Sequence, residues 1–374
     1  MTLLNKLRIA SGLVLFVFVL GHLLTLAFGL RSIEAMETAG RFLMGPWTNP
    51  VGGPILMLSF LLHGALGIWA LFWRNRLFFN WGDSIQALLG IAIVPLLLPH
   101  IMGTVVGPAM TGATPSFKWV LAVYWMFVPH LGIQQVIALI VIWIHGCYGL
   151  FLWMQVQNWW GRISTVSYPF VVIVPVAALL GFVEAGKILL ANSGNAEFMA
   201  PVRETAALYG QVGDQLWRIQ DQILWAYAAI VAVVFAARAV RVWRKRPMVT
   251  LNYVDGPTIV RPAGLSLLET AQSRDTPHAA LCGARGRCGS CAVRIVEGAG
   301  NLSPISPIEA ETLARRSAAP GDRLACQAMP VGGSVLVEPL FSPDITPIEY
   351  QELLRGEVPD PPVPEPASVG EGSQ

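Results

Sequence analysis

The chain has 374 residues, of which 54% are hydrophobic and only 13% charged, about half the charged share of an ordinary soluble domain. A formal charge of +2 supplies no basic footprint, so nucleic acid is excluded as a working partner. Uncharged stretches of about 20 residues, long enough to cross a bilayer as helices, fill the first two thirds, and from residue 248 the composition becomes that of a small soluble domain. The expected organisation is a multi-pass α-helical membrane bundle over 1–247, a small α+β domain over 248–342, and a disordered tail rich in proline and acidic residues over 343–374.

In chain order, charge-poor runs fall at 9–30, 52–73, 85–107, 134–156, 167–191 and 223–244, which predicts six spans in contact with the lipid membrane. The first run is too long for a signal-peptide core and no small-residue cleavage site follows it, so it reads as a retained span. Residues 117–133, FKWVLAVYWMFVPHLGI, read as an outer interfacial segment and not as a seventh crossing. In the fifth run Glu184 and Lys187 are three apart and can pair on one helix face. The 192–222 connection, with Leu216, Trp217 and Ile223 at near-helical spacing, is expected to extend the sixth helix outward.

Six spans put Lys6, Arg8, Arg74, Arg76, Arg162, Arg238, Arg241, Arg244, Lys245 and Arg246 on one side. Arg31, Arg41, Lys118, Arg203 and Arg218 fall on the other. The heavy cluster after the sixth span decides the orientation, and both termini are expected in the cytoplasm.

Five of the six histidines lie in or beside apolar runs: His22, His63, His100, His130 and His145. Four of them fall one per span in the first four spans. An ionisable group at membrane depth is costly and marks function by default, and neutral imidazole is a common axial ligand of haem iron. The glycine context repeats: His63-Gly64-Ala65-Leu66-Gly67 is echoed by His145-Gly146-Cys147-Tyr148-Gly149, and Gly12 and Gly90 precede His22 and His100 by ten residues each. Glycine near such a ligand would let a flat macrocycle approach the backbone. With odd spans running outward, His22 and His100 lie roughly 21–22 Å from the inner end and His63 and His145 roughly 15–16 Å. Depth therefore pairs His22 with His100 and His63 with His145, and two b-type haems would follow. His130 admits either a structural or a quinone-contacting role.

Four spans with one histidine each, separated by 41, 37 and 45 residues, resemble the dihaem cytochrome b anchor of succinate:quinone oxidoreductases and fumarate reductases. That resemblance covers roughly residues 8–190 and implies the same first–third and second–fourth pairing. It also implies quinone as a redox partner.

Cys282, Cys288, Cys291 and Cys326, in CGARGRCGSC and LACQ, follow a Cys-x5-Cys-x2-Cys…Cys pattern. Plant-type [2Fe–2S] sites use Cys-x4-Cys-x2-Cys…Cys, and the extra residue resembles adrenodoxin-like ferredoxins. Zinc sites favour two close pairs, and cytoplasmic disulfides are rare. One [2Fe–2S] cluster is the expected cofactor. Arg285 and Arg287 either tune the cluster or face water, and His278 reads as a loop residue. The flanks predict a β-grasp domain: a hairpin at Asp255-Gly256, a helix over Leu265–Gln272, and a cluster loop eased by Gly283, Gly286 and Gly289. Further on come a strand over Ala292–Val296, a helix opened by a Ser306–Glu309 capping box, and strands over Arg323–Gln327 and Ser334–Val337. Residues 248–342 carry eight acidic residues, eight arginines and no lysine, a neutral balance that suits a tethered partner better than a steered one.

As a whole, KLRIASGLVLFVFVLGHLL, WIHGCYGL, CGARGRCGSC and RLACQ resemble the N-terminal region of bacterial membrane-bound class III adenylate cyclases that carry a ferredoxin domain. The resemblance spans nearly all of residues 1–342 and implies a bacterial inner membrane, while no cyclase catalytic domain is expected in this sequence. Two functional readings stand at this point. One is electron transfer between the cluster and intramembrane haems, with quinone or another carrier as donor or acceptor. The other is a redox-sensing input that serves a cyclase-type output protein.

Overall fold

The computed structural model describes residues 3–73, 81–157, 159–243 and 247–356. Arg74, Arg76, Arg244, Lys245 and Arg246, which carry part of the orientation argument, lie outside the described residues, as does the tail beyond Gly356. The chain begins with α1 (Leu3–Ala27) and the short α2 (Ile33–Leu43), followed by α3 (Gly52–Trp73) and α4 (Trp81–Ile101). Next come α5 (Phe117–Ala122), α6 (Pro129–Met154), α7 (Trp160–Ala191), α8 (Ala200–Gly210) and α9 (Gly213–Trp243).

Six of these helices, α1, α3, α4, α6, α7 and α9, are long and apolar enough to cross a membrane, as the sequence predicts. They are apolar all round, which suits a helix surrounded by lipid and other helices. Several overrun their apolar runs, because backbone hydrogen bonding continues past the point where side chains turn polar. Pro129 stands at the first position of α6, where a missing N–H costs nothing. Only the last part of the 192–222 connection extends the sixth helix, which begins at Gly213; Ala200–Gly210 forms the separate helix α8.

Residues 117–127 pack more deeply than an interfacial strip would. Trp119, Leu121, Ala122 and Tyr124 are buried. With Ile33 and Met36 of α2, Ala185 and Leu189 of α7 and Val202 of α8, the first three belong to a compact cap over one end of the bundle. The segment is not a seventh crossing, but burial of its tryptophan holds it inside protein.

Prolines inside the spanning helices pose a specific problem. A proline at position i leaves the carbonyl at i−4 without its helical donor, and bilayer hydrocarbon offers no water in compensation. Three of these carbonyls find side-chain donors on neighbouring helices. For Pro95, Tyr227 Oη donates to Ile91 O at 2.8 Å; for Pro99, Gln134 Nε2 donates to Pro95 O at 3.1 Å. For Pro175, Trp143 Nε1 donates to Val171 O at 2.7 Å.

The C-terminal domain is a five-stranded mixed sheet in the order β2-β1-β5-β3-β4. Its strands are β1 (Met248–Tyr253), β2 (Thr258–Pro262), β3 (Ala292–Glu297), β4 (Asp322–Leu324) and β5 (Gly333–Pro339). Only the β1–β5 pair is parallel. Leu251, Val293, Val335 and Val337 form its core with Leu267 and Leu268 of α10 (Leu267–Gln272). The hairpin turns at Asp255, which takes a positive φ of 52°.

The capping box at α11 (Pro307–Arg315) forms only in half. Ser306 Oγ accepts the Glu309 N–H at 3.3 Å. The Glu309 carboxylate turns inward instead, to Arg323 Nε at 2.7 Å, Arg323 Nη2 at 3.0 Å and the Leu324 N–H at 3.0 Å. A buried carboxylate is tolerable only when charge and hydrogen bonds are both met. Part of the stretch assigned to a disordered tail also proves helical. In α12 (Pro347–Arg355) Thr346 and Glu349 complete a capping box, and Tyr350 is buried against the cysteine loop. Composition missed it because a short helix of this kind is stabilised by docking and not by its own propensity.

Replacing Trp143 by Phe should leave the Val171 carbonyl unpaired and lower stability by about 1–3 kcal/mol. The measurement is thermal unfolding of the detergent-solubilised protein, with Trp225→Phe on the exposed face of α9 as a near-neutral reference.

Candidate functional site

All four cysteines of the C-terminal domain are buried; Cys282, Cys288 and Cys291 share one loop, and Cys326, just after β4, meets Cys291. Gly283, Gly286 and Gly289 all take positive φ, 61°, 67° and 88°, which curls residues 282–291 around the sulfurs. The Arg285, Arg287 and Cys288 N–H groups face Cys282 Sγ. The thiols associate in twos, Cys282 with Cys288 and Cys291 with Cys326. Two such pairs within one buried site give the donor set of a binuclear centre, with two thiolates per metal.

Hydrogen bonding from Cys288 holds the Cys282 thiol down to about 5. Its coupled neighbour Cys288 is pushed well up by that same contact and by burial, and Cys291 is pushed up by Cys326 and by burial. Four thiolates here would need cationic centres between them.

The loop is held from outside by its carbonyls. Arg316 Nε donates to Cys288 O at 2.6 Å, Tyr350 Oη to the same oxygen at 2.8 Å, and Thr312 Oγ1 to Gly286 O at 2.6 Å. With the carbonyls engaged outward, the N–H groups are left to the sulfurs. His278 is no bystander either. It contacts Tyr253 Oη at 3.2 Å and the Cys291 carbonyl at 3.4 Å, and burial lowers its pKa.

In the bundle the histidines meet in the expected pairs. The His22 and His100 ring centroids are 5.9 Å apart, and those of His63 and His145 6.3 Å. Two imidazoles sharing one metal, with metal–nitrogen bonds of about 2.0–2.1 Å and about 1.1 Å from nitrogen to ring centre, have centroids roughly 6 Å apart. Both pairs fit that requirement.

The inner pair shows a repeated construction. His63 Nδ1 lies 3.1 Å from Arg8 O, and His145 Nδ1 lies 3.1 Å from Gln86 O. A carbonyl only accepts, so each Nδ1 carries the proton and each Nε2 keeps its lone pair for a metal. Arg8 and Gln86 stand four residues before Gly12 and Gly90. A Cβ at Gly12 would lie 3.0 Å from His63 Cε1, and a Cβ at Gly90 3.0 Å from His145 Cε1.

These glycines therefore seat the rings of the second and fourth spans, and do not clear space beside His22 and His100 as the sequence alone suggested. They also fix the offset between pairs. His22 and His100 stand ten residues beyond Gly12 and Gly90, about 15 Å of helix rise. The smaller offset read from the ends of the apolar runs came from misplaced helix starts.

At the outer pair, His100 Nδ1 meets Tyr124 Oη at 3.0 Å, and Phe18 and Phe117 stack on His22. Tyr124 had no sequence signal, since only the packing of 117–127 brings it to His100. His130 is exposed in the first turn of α6. Glu184 and Lys187 do pair, at 2.7 Å, with exposed side chains.

The two domains meet at the cysteine loop. Gln155, just after α6, donates from Nε2 to Leu281 O at 2.6 Å, and Val156 packs against the cluster formed by Ala279, Cys282, Cys288 and Tyr350. Gln155 is ten residues from His145, about 15 Å along the helix axis.

Residues 252–331 match the family described as the 2Fe-2S iron-sulfur cluster binding domain. The small domain is a 2Fe-2S, ferredoxin-type domain. Similar curated proteins include one component of the Na(+)-translocating NADH-quinone reductase, found in several bacteria. The Klebsiella pneumoniae protein is 36% identical over 95 residues, which cover 25% of this chain and 23% of that one. Its Haemophilus influenzae counterpart is 34% identical over 129 residues, 32% of this chain and 30% of the relative. That of Methylococcus capsulatus is 34% identical over 99 residues, 26% and 23% respectively. The chain thus spans less than a third of the length of these relatives. No solved structure matches.

Glu309→Ala should strand Arg323 as an unpaired buried charge and destabilise the ferredoxin domain by about 3–5 kcal/mol. Denaturant titration followed by loss of the cluster's visible absorption measures this, and Glu297→Ala on the exposed end of β3 should change little.

Proposed function

We propose that the chain carries electrons through a bacterial inner membrane, between a [2Fe–2S] cluster in its C-terminal domain and two b-type haems in the helix bundle. The observation that carries this reading is the single file of sites. The cysteine loop rests on the end of α6, the His63–His145 pair lies about 15 Å along that helix, and the His22–His100 pair about 15 Å beyond. In this reading Cys282 and Cys288 hold one iron of the cluster, and Cys291 and Cys326 hold the other. His63 and His145 would hold the inner haem, and His22 and His100 the outer one. These groups, when bound, supply reversible one-electron chemistry.

The protein's own residues provide position and environment. The Arg8 and Gln86 carbonyls orient the inner imidazoles, and Tyr124 orients His100. The N–H groups of the cysteine loop favour negative charge on sulfur, and Gln155 and Val156 hold the loop against the bundle. Lys6, Arg8, Arg162, Arg238 and Arg241 support a cytoplasmic ferredoxin end by the positive-inside rule. At the opposite end a lipid-soluble quinone is the proposed electron partner. The resemblance to quinone-linked cytochrome b anchors supports this, as do relatives that are themselves components of an NADH-quinone reductase.

The purified full-length protein should show a reduced-minus-oxidised spectrum of b-type haem, and a redox titration should resolve two haem components. His63→Ala should remove the inner component and spare the outer one, whereas His22→Ala should do the reverse. A preparation with an intact [2Fe–2S] signal and no haem absorption would sink the proposal.

Tyr124→Phe removes the acceptor for the His100 Nδ1–H, which makes that imidazole a poorer donor to metal. The outer haem potential should rise by about 40 mV, the one-electron equivalent of a hydrogen bond worth about 1 kcal/mol, with the inner potential unchanged.

A further inference from the structure

Two cavities flank α12 along the seam between the bundle and the ferredoxin domain. One, of about 300 Å³, is lined by Arg287, Arg315, Arg316, Gln157, Gln351 and Trp153 among others. Its neighbour, of about 200 Å³, shares Gln351 and adds Arg162, Arg355 and Trp160. Five arginines thus face the two cavities, and among the described residues no carboxylate lines either one.

Arg287 makes the point sharpest. It is only 7% exposed, and among the described residues its Nε has no hydrogen-bond partner. Burying a guanidinium without full partners is costly. The sulfurs of Cys282 and Cys288 offset part of its charge, but among the described residues nothing comparable faces Arg315, whose Nη2 donates to the Arg287 carbonyl and to Thr312 Oγ1. The chemistry that completes such a site is an anion with several strong acceptor oxygens, as a phosphate has.

The place of the site narrows the choice. Trp153, Trp159 and Trp160 cluster at the junction of α6 and α7, and tryptophan belts mark headgroup depth. The larger cavity has an apolar side, Trp153 and Val156, next to its cationic one, which suits an amphiphile better than a free ion. We propose that this seam binds the phosphate of an anionic phospholipid from the surrounding leaflet, with Arg287, Arg315 and Arg316 as its principal counter-charges and Arg162 beside them. The lipid then bridges the ferredoxin domain to the bundle and helps hold the cysteine loop on Gln155. The site requires the helices to sit in a bilayer and is independent of what the histidines hold.

Native mass spectrometry of the full-length protein, given phosphatidylglycerol and phosphatidylcholine in equal amounts, tests this directly. Wild type should retain one phosphatidylglycerol in preference to phosphatidylcholine, and Arg315→Gln and Arg162→Gln should each weaken that retention about fivefold. The [2Fe–2S] absorption verifies that each variant is folded, and Arg162→Gln serves if Arg315→Gln loses it. Equal retention of both lipids, or a preference unchanged in the folded variants, overturns the site. Binding of inorganic phosphate by lipid-free protein without any phosphatidylglycerol preference overturns the lipid and assigns the arginines to a soluble anion.

Discussion

Inside a bilayer no water stands ready to accept or donate a hydrogen bond, so each polar group there must be answered by protein. Much of the bundle follows from that constraint. Three helix prolines each free a carbonyl, and Tyr227, Gln134 and Trp143 answer them from adjacent helices. The same logic governs the inner histidines, whose Nδ1 atoms settle on the Arg8 and Gln86 carbonyls. Here the group to be answered is the imidazole N–H, and each bond that answers it also locks one helix against another.

Construction by repetition is the second theme. In both α1–α3 and α4–α6 a glycine seats a histidine ring from the partner helix, and a carbonyl four residues before that glycine accepts its Nδ1–H. The repeat ends at the outer pair. His100 meets a tyrosine hydroxyl supplied by the inserted segment 117–127, and His22 stacks with Phe18 and Phe117. The two pairs therefore share a similar ring separation and differ in the polarity around it.

On the other side of the seam the problem is reversed. The ferredoxin domain must concentrate four sulfurs and still present that loop to a neighbour. Arginine, threonine and tyrosine side chains take the loop carbonyls, so the N–H groups turn to the sulfurs, and Leu281 O is left for Gln155 of the bundle. The neutral charge balance of the domain accords with a docked arrangement, in which a short bridge replaces long-range steering.

The six long apolar helices, the small ferredoxin-type domain after them and the cysteine spacing that marks it were legible in the sequence. Each depends on local composition or on regular helix rise, which a linear pattern records. The partners of Gly12 and Gly90, the acceptor beneath His100, the inward turn of Glu309 and the helix around Tyr350 were not. These depend on which side chains tertiary packing brings within about 3 Å, across separations such as 24 residues for Tyr124 and His100 and 62 for Tyr350 and Cys288. Regular periodicity predicts the depth of a side chain in the bundle, but its partner is decided by the packing of another helix.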